Sequence, residues 1–272
     1  ANLFGFLKFY KSVRSKGIKP IAGAEINHVR DSSSHNEHAN LTLIAKNQLG
    51  YKNLIKLISK SQIVGKTSGI PVIETEWLAE HSDGLIALSG GFRGHIGKAV
   101  LDTNHDLFLK RIKYFQKIFK EDFILEISRI NRPQEDIYND YILSKAGELG
   151  LPVVASNEVR FIDKEDYEAH ETRVCIQKGE VLSDTRRTRS YFEDQYFLSP
   201  EEMHEKFKDI PEVLSNAYEL GKKCNLEIET GIYVLPDFKT PLNRSAADHL
   251  IEISKNNLKE KTKDLSDDDK VK

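Results

Sequence analysis

The sequence predicts an α/β protein built on a parallel sheet, closed as a barrel or doubly wound. Three observations carry this. Strand-like and helix-like segments alternate with short links, the grammar of repeated βα units. Some strands, such as Leu85-Ile86-Ala87-Leu88, are apolar without interruption, as a sheet covered on both faces requires. The residues best suited to chemistry, Glu25, Asn40, Glu158 and Arg160, all lie at the edges of short apolar segments, where an α/β barrel places its site.

Taken in order, Leu3 to Ser15 has helical spacing, and Gly17 closes it as a C-cap. Pro20 to Ile26 reads as a strand, His28 to Asn40 as a polar loop and Leu41 to Ala45 as a strand. Gln48 to Lys60 is a helix with Leu54, Ile55, Leu57 and Ile58 on its apolar side, and Gln62 to Pro71 is a loop. A helix starting at Glu74 carries the single tryptophan, Trp77. After the strand at 85–89 come helices at His95 to Leu101 and Leu107 to Phe119. A strand at Phe123 to Ile127, a helix at Glu135 to Leu149 and a strand at Pro152 to Ser156 follow. Beyond Asp163 the alternation stops. Helices at Lys164 to Gln177, Pro200 to Phe207 and Glu212 to Cys224 succeed one another. Leu226 to Glu229 and Tyr233 to Pro236 look like short exposed strands, Asp237 to Ser245 like a linker, and Ala246 to Lys261 like a further helix.

Bulk composition narrows the function. A chain of 272 residues has room for one barrel domain, or a domain plus a tail. Net charge is −2, so no global basic field exists to hold nucleic acid, and such contact would have to be local. The two cysteines, Cys175 and Cys224, have no CxxC partner, which argues against structural zinc and for a reducing compartment. No apolar stretch is long enough for a bilayer, so a cytoplasmic protein without membrane contact is expected. The chain opens at Ala1 inside an apolar-periodic helix and stops without a capping signal. It is read as part of a longer protein, and a barrel lacking strands is expected to be poorly stable alone.

The four candidate residues have the layout of a metallohydrolase with a spoiled ligand set. Glu25 and Glu158 are carboxylates, as a metal site wants. Asn40 offers one weak carbonyl oxygen, and Arg160 stays protonated and repels a cation. The expectation is that Arg160 supplies the positive charge itself and pairs with Glu158 or Glu25; otherwise it points outward. His28, His35 and His38 match no ligand spacing and are read as solvated. Arg186, Arg187 and Arg189, with Tyr191 and Phe192, form a possible DNA contact, but Asp184, Glu193 and Asp194 temper the field, so intramolecular contact competes. His170 and Glu171 are expected to pack on a helix, and Cys175 to fill core. Gly90-Gly91-Phe92-Arg93-Gly94 lacks the Lys-Ser/Thr of a phosphate loop and reads as a tight turn.

The order of short segments is recognisable. It includes Asn2-Leu3-Phe4-Gly5, Gly17 through Glu25, Ala45-Lys46-Asn47 with Gly50-Tyr51-Lys52-Asn53-Leu54, and Leu88-Ser89-Gly90-Gly91. It continues with Leu151 through Phe161, Glu168-Ala169-His170-Glu171, Ser199 through Met203, Asp209-Ile210-Pro211-Glu212, Cys224-Asn225 and Tyr233 through Phe238. This collinear set resembles the N-terminal region of bacterial replicative DNA polymerase III alpha subunits, from residue 2 to about residue 240. The resemblance implies a polymerase-and-histidinol-phosphatase (PHP) domain, a distorted (β/α)7 barrel, here lacking its first strands with their two histidine-bearing pairs. It implies a barrel over 1–236, a linker over 237–245 and the start of the polymerase core at 246–272.

Metal-active members of that family carry Glu at the position of Glu25, His at Asn40 and Asp-x-His at Glu158 and Arg160, so this chain departs from the pattern at three positions. The implied role is a non-catalytic scaffold that braces the polymerase core and docks the proofreading exonuclease, within a DNA-directed DNA polymerase that contacts DNA. No catalytic residue, metal ligand or cofactor is expected here. The magnesium of nucleotidyl transfer belongs to aspartates beyond residue 272. The competing expectation is a metal-dependent phosphoesterase or pyrophosphatase whose main ligands precede Ala1.

Overall fold

A computed structural model describes residues 1–29, 38–67, 69–231, 238–241 and 244–263. The chain divides into two compact units, Ala1–Ile228 and Glu229–Lys272, with a boundary upstream of the one the sequence suggests.

The first unit is organised by a six-stranded sheet in the order β5-β1-β2-β6-β7-β8. Its strands are β1 (Gly23–Val29), β2 (Ala39–Ala45), β5 (Ile73–Glu74), β6 (Leu85–Leu88), β7 (Phe123–Ser128) and β8 (Val153–Ser156). A small hairpin of β3 (Lys66–Thr67) and β4 (Ile70–Pro71) stands apart, within the stretch expected to be loop. The sheet is mixed rather than parallel: β1 to β2 and β2 to β6 run antiparallel, while β6, β7 and β8 are parallel. The β1–β2 connection is too short for the crossover helix that a parallel pair needs. Residues 105–119 and 135–149 do supply such helices, α5 (His105–Phe119) between β6 and β7 and α6 (Glu135–Leu149) between β7 and β8.

Alternation along the strands splits the sheet into two faces. One face sends Ile26, Leu41, Leu43, Leu85, Ala87, Phe123, Leu125, Ile127 and Val153 into the main core. That core also takes Leu54 and Leu57 of α2 (Gln48–Ile63), Phe108, Ile112 and Phe115 of α5, and Tyr138 and Ile142 of α6. The other face is apolar only in part. Ile86, Leu88, Ile124 and Val154 meet Leu220 and Cys224 at α9 (Glu212–Lys223) in a second, smaller cluster. The sheet is thus covered on both faces, as the unbroken apolar strands demand.

The loop expected at 28–40 is shorter. His28 and Val29 continue β1, and Ala39 and Asn40 begin β2. His28 is fully buried, which corrects its reading as solvated. Its ring lies 5.6 Å from that of Phe115 and meets His95 edge-on at 5.0 Å, because the β1 alternation that buries Ile26 carries on to His28. His38 is half-buried, and His35 lies outside the described residues. Leu226 is buried and belongs to no strand, and the stretch 233–236 lies outside the described residues.

After β8 come α7 (Tyr167–Lys178), α8 (Pro200–Lys206) and α9, the helical succession the sequence predicts. Cys175 is buried on α7. The remaining helices of the first unit are α1 (Phe6–Ser15), α3 (Thr75–Glu80) and α4 (His95–Leu101). In the second unit, α10 (Ala246–Lys261) is capped by Ser245, whose hydroxyl accepts from the Asp248 N–H, and none of its residues is buried.

Candidate functional site: an ion-paired mouth at the strand ends

Glu25 sits opposite Thr42 on the antiparallel β1–β2 ladder, and Asn27 opposite Asn40. Two-residue alternation therefore puts Glu25 and Asn40 on the same face, away from the main core. The Asn40 amide donates to Glu25 Oε1 at 2.6 Å. The backbone of Asn40 is held against the turn after β6. A Cβ on Gly90 would lie 2.1 Å from the Asn40 carbonyl oxygen, and Gly90 has φ of 77°, so only glycine fits there. The glycine run is the tight turn the sequence predicts.

Arg160 follows β8 and reaches back across the mouth. Its Nη2 donates to Glu25 Oε2 at 3.2 Å. The two sequence-predicted carboxylates are thus handled separately, because Glu158 pairs with Arg132, whose Nη2 donates to Glu158 Oε2 at 2.7 Å. Only 5% of the Arg132 side chain is exposed, and its guanidinium lies 4.9 Å and 5.6 Å from the ring centroids of Phe92 and Phe192. Glu158 adopts φ of 45°, a left-handed conformation that costs a non-glycine residue about 1 kcal/mol or more. Arg132 holds its side chain, and the buried Gln195 amide donates to its carbonyl at 3.0 Å.

Sequence reasoning missed Arg132 and also Glu126, the most perturbed carboxylate of the mouth. Burial pushes the Glu126 carboxyl up to about 7. The Ser156 hydroxyl and the Gly90 N–H oppose this, and the negative charges of Glu158 and Glu25 add to it. Glu126 had a signal: a lone acid within Phe123-Ile124-Leu125-Glu126-Ile127, an otherwise apolar strand. Arg132 had none, because its partner lies on another loop.

A strap of residues 190–197 crosses the same end of the sheet. The Arg93 side chain donates to the Ser190 carbonyl at 2.7 Å, and the Arg160 N–H to the Gln195 carbonyl at 2.8 Å. The Asn157 amide donates to the carbonyls of Asp194 and Tyr196 at 3.0 Å and 2.7 Å. Both the Arg93 and Arg160 guanidiniums lie 5.9 Å from the Tyr191 ring, whose other neighbour is His170, edge-on at 4.6 Å. Burial and the charges of Arg173 and Arg160 hold the His170 imidazole below its ordinary range.

The three arginines of the possible DNA contact have different surroundings. Half-buried Arg187 donates to the buried Glu171 at 2.6 Å, with side-chain exposures of 6% and 2%. Arg186 is exposed and forks onto Asp184, and Arg189 stays exposed. Tyr191 and Phe192 face arginines of the mouth.

Residues 1–130 match the model of the PHP domain. The chain is 42% identical to DNA polymerase III subunit alpha of Vibrio cholerae over 271 residues, all of the chain and 23% of that protein. It is 41% identical to the subunit of the same name from Pseudomonas aeruginosa over 261 residues, 96% of the chain and 22% of that relative. The Escherichia coli K12 counterpart is 42% identical over 260 residues, with the same coverage. The chain thus spans less than a quarter of the length of these relatives. Among the described residues, no helix is long and apolar enough to cross a membrane.

Proposed function

We propose that this chain is the PHP-domain portion of a bacterial replicative DNA polymerase III alpha subunit, and that it serves there as a non-catalytic scaffold. The parent protein is then a DNA-directed DNA polymerase, with magnesium at a polymerase core outside residues 1–272. The scaffold braces that core and docks the proofreading exonuclease subunit, and DNA is met through the parent protein. The similarity along the whole chain supports the parentage.

One observation carries the non-catalytic role. Both oxygens of Glu25 receive hydrogen-bond donors, one from Asn40 and one from Arg160. A divalent ion needs those lone pairs, and a guanidinium beside them repels it. Glu158, the second family carboxylate, is engaged by Arg132. The described residues therefore do not fit a hydrolytic metal, and Arg160 and Arg132 supply the positive charge that the carboxylates require.

The test uses the full-length protein. After dialysis, metal content near zero and no metal-dependent phosphomonoester hydrolysis are expected. Stoichiometric zinc or manganese with metal-dependent turnover would replace the scaffold with a phosphoesterase. The paired substitution Arg160→His and Asn40→His removes both donors from Glu25 and should raise metal occupancy. Unchanged occupancy would count against these positions as the old ligand set.

A further inference from the structure

Two short extended segments meet beside the mouth, and their exposed side chains are of the wrong kind for bare solvent. Phe161 bridges Tyr196 in parallel, and the Phe197 N–H donates to the Ile162 carbonyl at 3.1 Å. This places Ile162 and Phe197 side by side on the backbone, and they are 70% and 71% exposed. Phe161 and Leu198, next to them in sequence, are buried, so the ladder is anchored in the fold and not a frayed loop. Large apolar side chains left in water on an ordered, hydrogen-bonded ladder mark a contact surface better than scattered ones do.

The charges around this pair are one-sided. Setting aside Glu158, which Arg132 neutralises, residues 159–168 hold four acids (Asp163, Glu165, Asp166, Glu168) against Lys164 and Arg160, the latter already paired with Glu25. Residues 193–206 add Glu193, Glu201 and Glu202, besides Asp194 paired with Lys206 and Glu205 paired with Lys208. Glu165, Glu202 and Asp194 are close enough to Tyr196 to help push its hydroxyl up to about 12, although the hydrogen bond to Glu202 is the main cause. The rim therefore repels phosphates and membranes of anionic lipid, and attracts a cationic chain.

We propose that the Ile162–Phe197 ladder is a docking surface for a basic protein segment that brings one or two large apolar side chains to the centre and lysines or arginines to the rim. The apolar pair is the anchor, and the carboxylates set the sign of the partner and speed its approach. This inference stands on the first unit's own surface and does not depend on the parentage proposed above.

The probe is a fluorescent 12-residue peptide alternating lysine with leucine and phenylalanine, titrated into the full chain and followed by anisotropy. Two controls are a lysine–glycine peptide of equal length and a single-stranded DNA oligonucleotide. The expected result is saturable binding of the first peptide, at least tenfold weaker binding of the second and none of the DNA. Ile162→Ser with Phe197→Ser should weaken the first peptide at least tenfold. So should Glu165→Lys with Glu201→Lys, a pair that leaves the apolar centre intact. Circular dichroism verifies that each variant is folded. Peptide affinity unchanged in either variant would overturn the proposal, as would the absence of peptide binding. DNA binding that depends on Phe197 would assign the surface to nucleic acid instead, and self-association lost in Ile162→Ser/Phe197→Ser would assign it to a second copy.

Discussion

The two faces of the sheet are made from the same strands and follow opposite rules. On the main-core face, β2, β6 and β7 contribute Leu43, Leu85, Ala87 and Leu125, all essentially without solvent contact. On the other face the same strands present Ile44, Ile86 and Ile124 under α9, and then Asn40 and Glu126 toward the mouth. The first face holds together by removing apolar area from water, a non-directional gain that tolerates no hole. The second ends in groups that resist dehydration and must each find a partner. Its order is local and paired: Asn40 and Arg160 with Glu25, Arg132 with Glu158, Gln195 with the Glu158 carbonyl. A face built this way contributes specificity of arrangement more than stability.

That contrast can be broken by experiment, starting where the effect is largest. Phe123→Ala, in the main core and 1% exposed, should cost about 3–5 kcal/mol in urea unfolding. A loss below about 1 kcal/mol would mean that the main face does not dominate stability. Arg132→Ala should cost about 3 kcal/mol, because it strands the Glu158 carboxylate in a largely dry site. Arg132→Met keeps the stacking volume between Phe92 and Phe192 and should cost nearly as much. If the methionine variant is as stable as the parent, packing and not charge holds that corner.

Glu126 sharpens the comparison through pH. Its folded pKa is raised to about 7, so the folded state holds its proton where the unfolded carboxyl has lost it. Stability contributed by this group is present in full below the unfolded pKa and is lost as pH rises toward 7. Over that window the loss amounts to about 3 kcal/mol as an upper figure. Glu126→Gln should remove that slope and leave the variant more stable than the parent at pH 8. Parallel pH profiles for the two proteins would show that Glu126 is not buried as described.

The smallest effect belongs to the pair on which the proposed scaffold role rests. Arg160 and Glu25 are 27% and 44% exposed, so Arg160→Ala should shift stability by only about 0.2–1 kcal/mol. A loss of several kcal/mol would make this pair part of the structural core.

Much of the fold was legible in the sequence. The helix over Glu135 to Leu149 coincides with its predicted bounds, and the unbroken run Leu85 to Leu88 announced a strand buried on both sides. Strand direction was not legible. Apolar runs look alike in parallel and antiparallel neighbours, and the short reach from Val29 to Ala39 forced an antiparallel pair. His28 was misplaced because its polar neighbours imitate a loop, while its burial depends on Phe115 and His95 far along the chain.

The same division runs through the site. The sequence by itself placed Asn40 at a strand start, Glu158 and Arg160 just past a strand end, and a guanidinium and an amide among the carboxylates, because residue type and alternation are local properties. Glu25, expected at a strand edge, lies inside β1, which runs on to Val29. Only the tertiary structure decided who pairs with whom. Arg160 took Glu25, Arg132 took Glu158, and half-buried Arg187 turned its guanidinium onto the buried Glu171. Those choices follow from which loops converge after the sheet has formed, and electrostatic attraction acts on distance in space, not on separation along the chain.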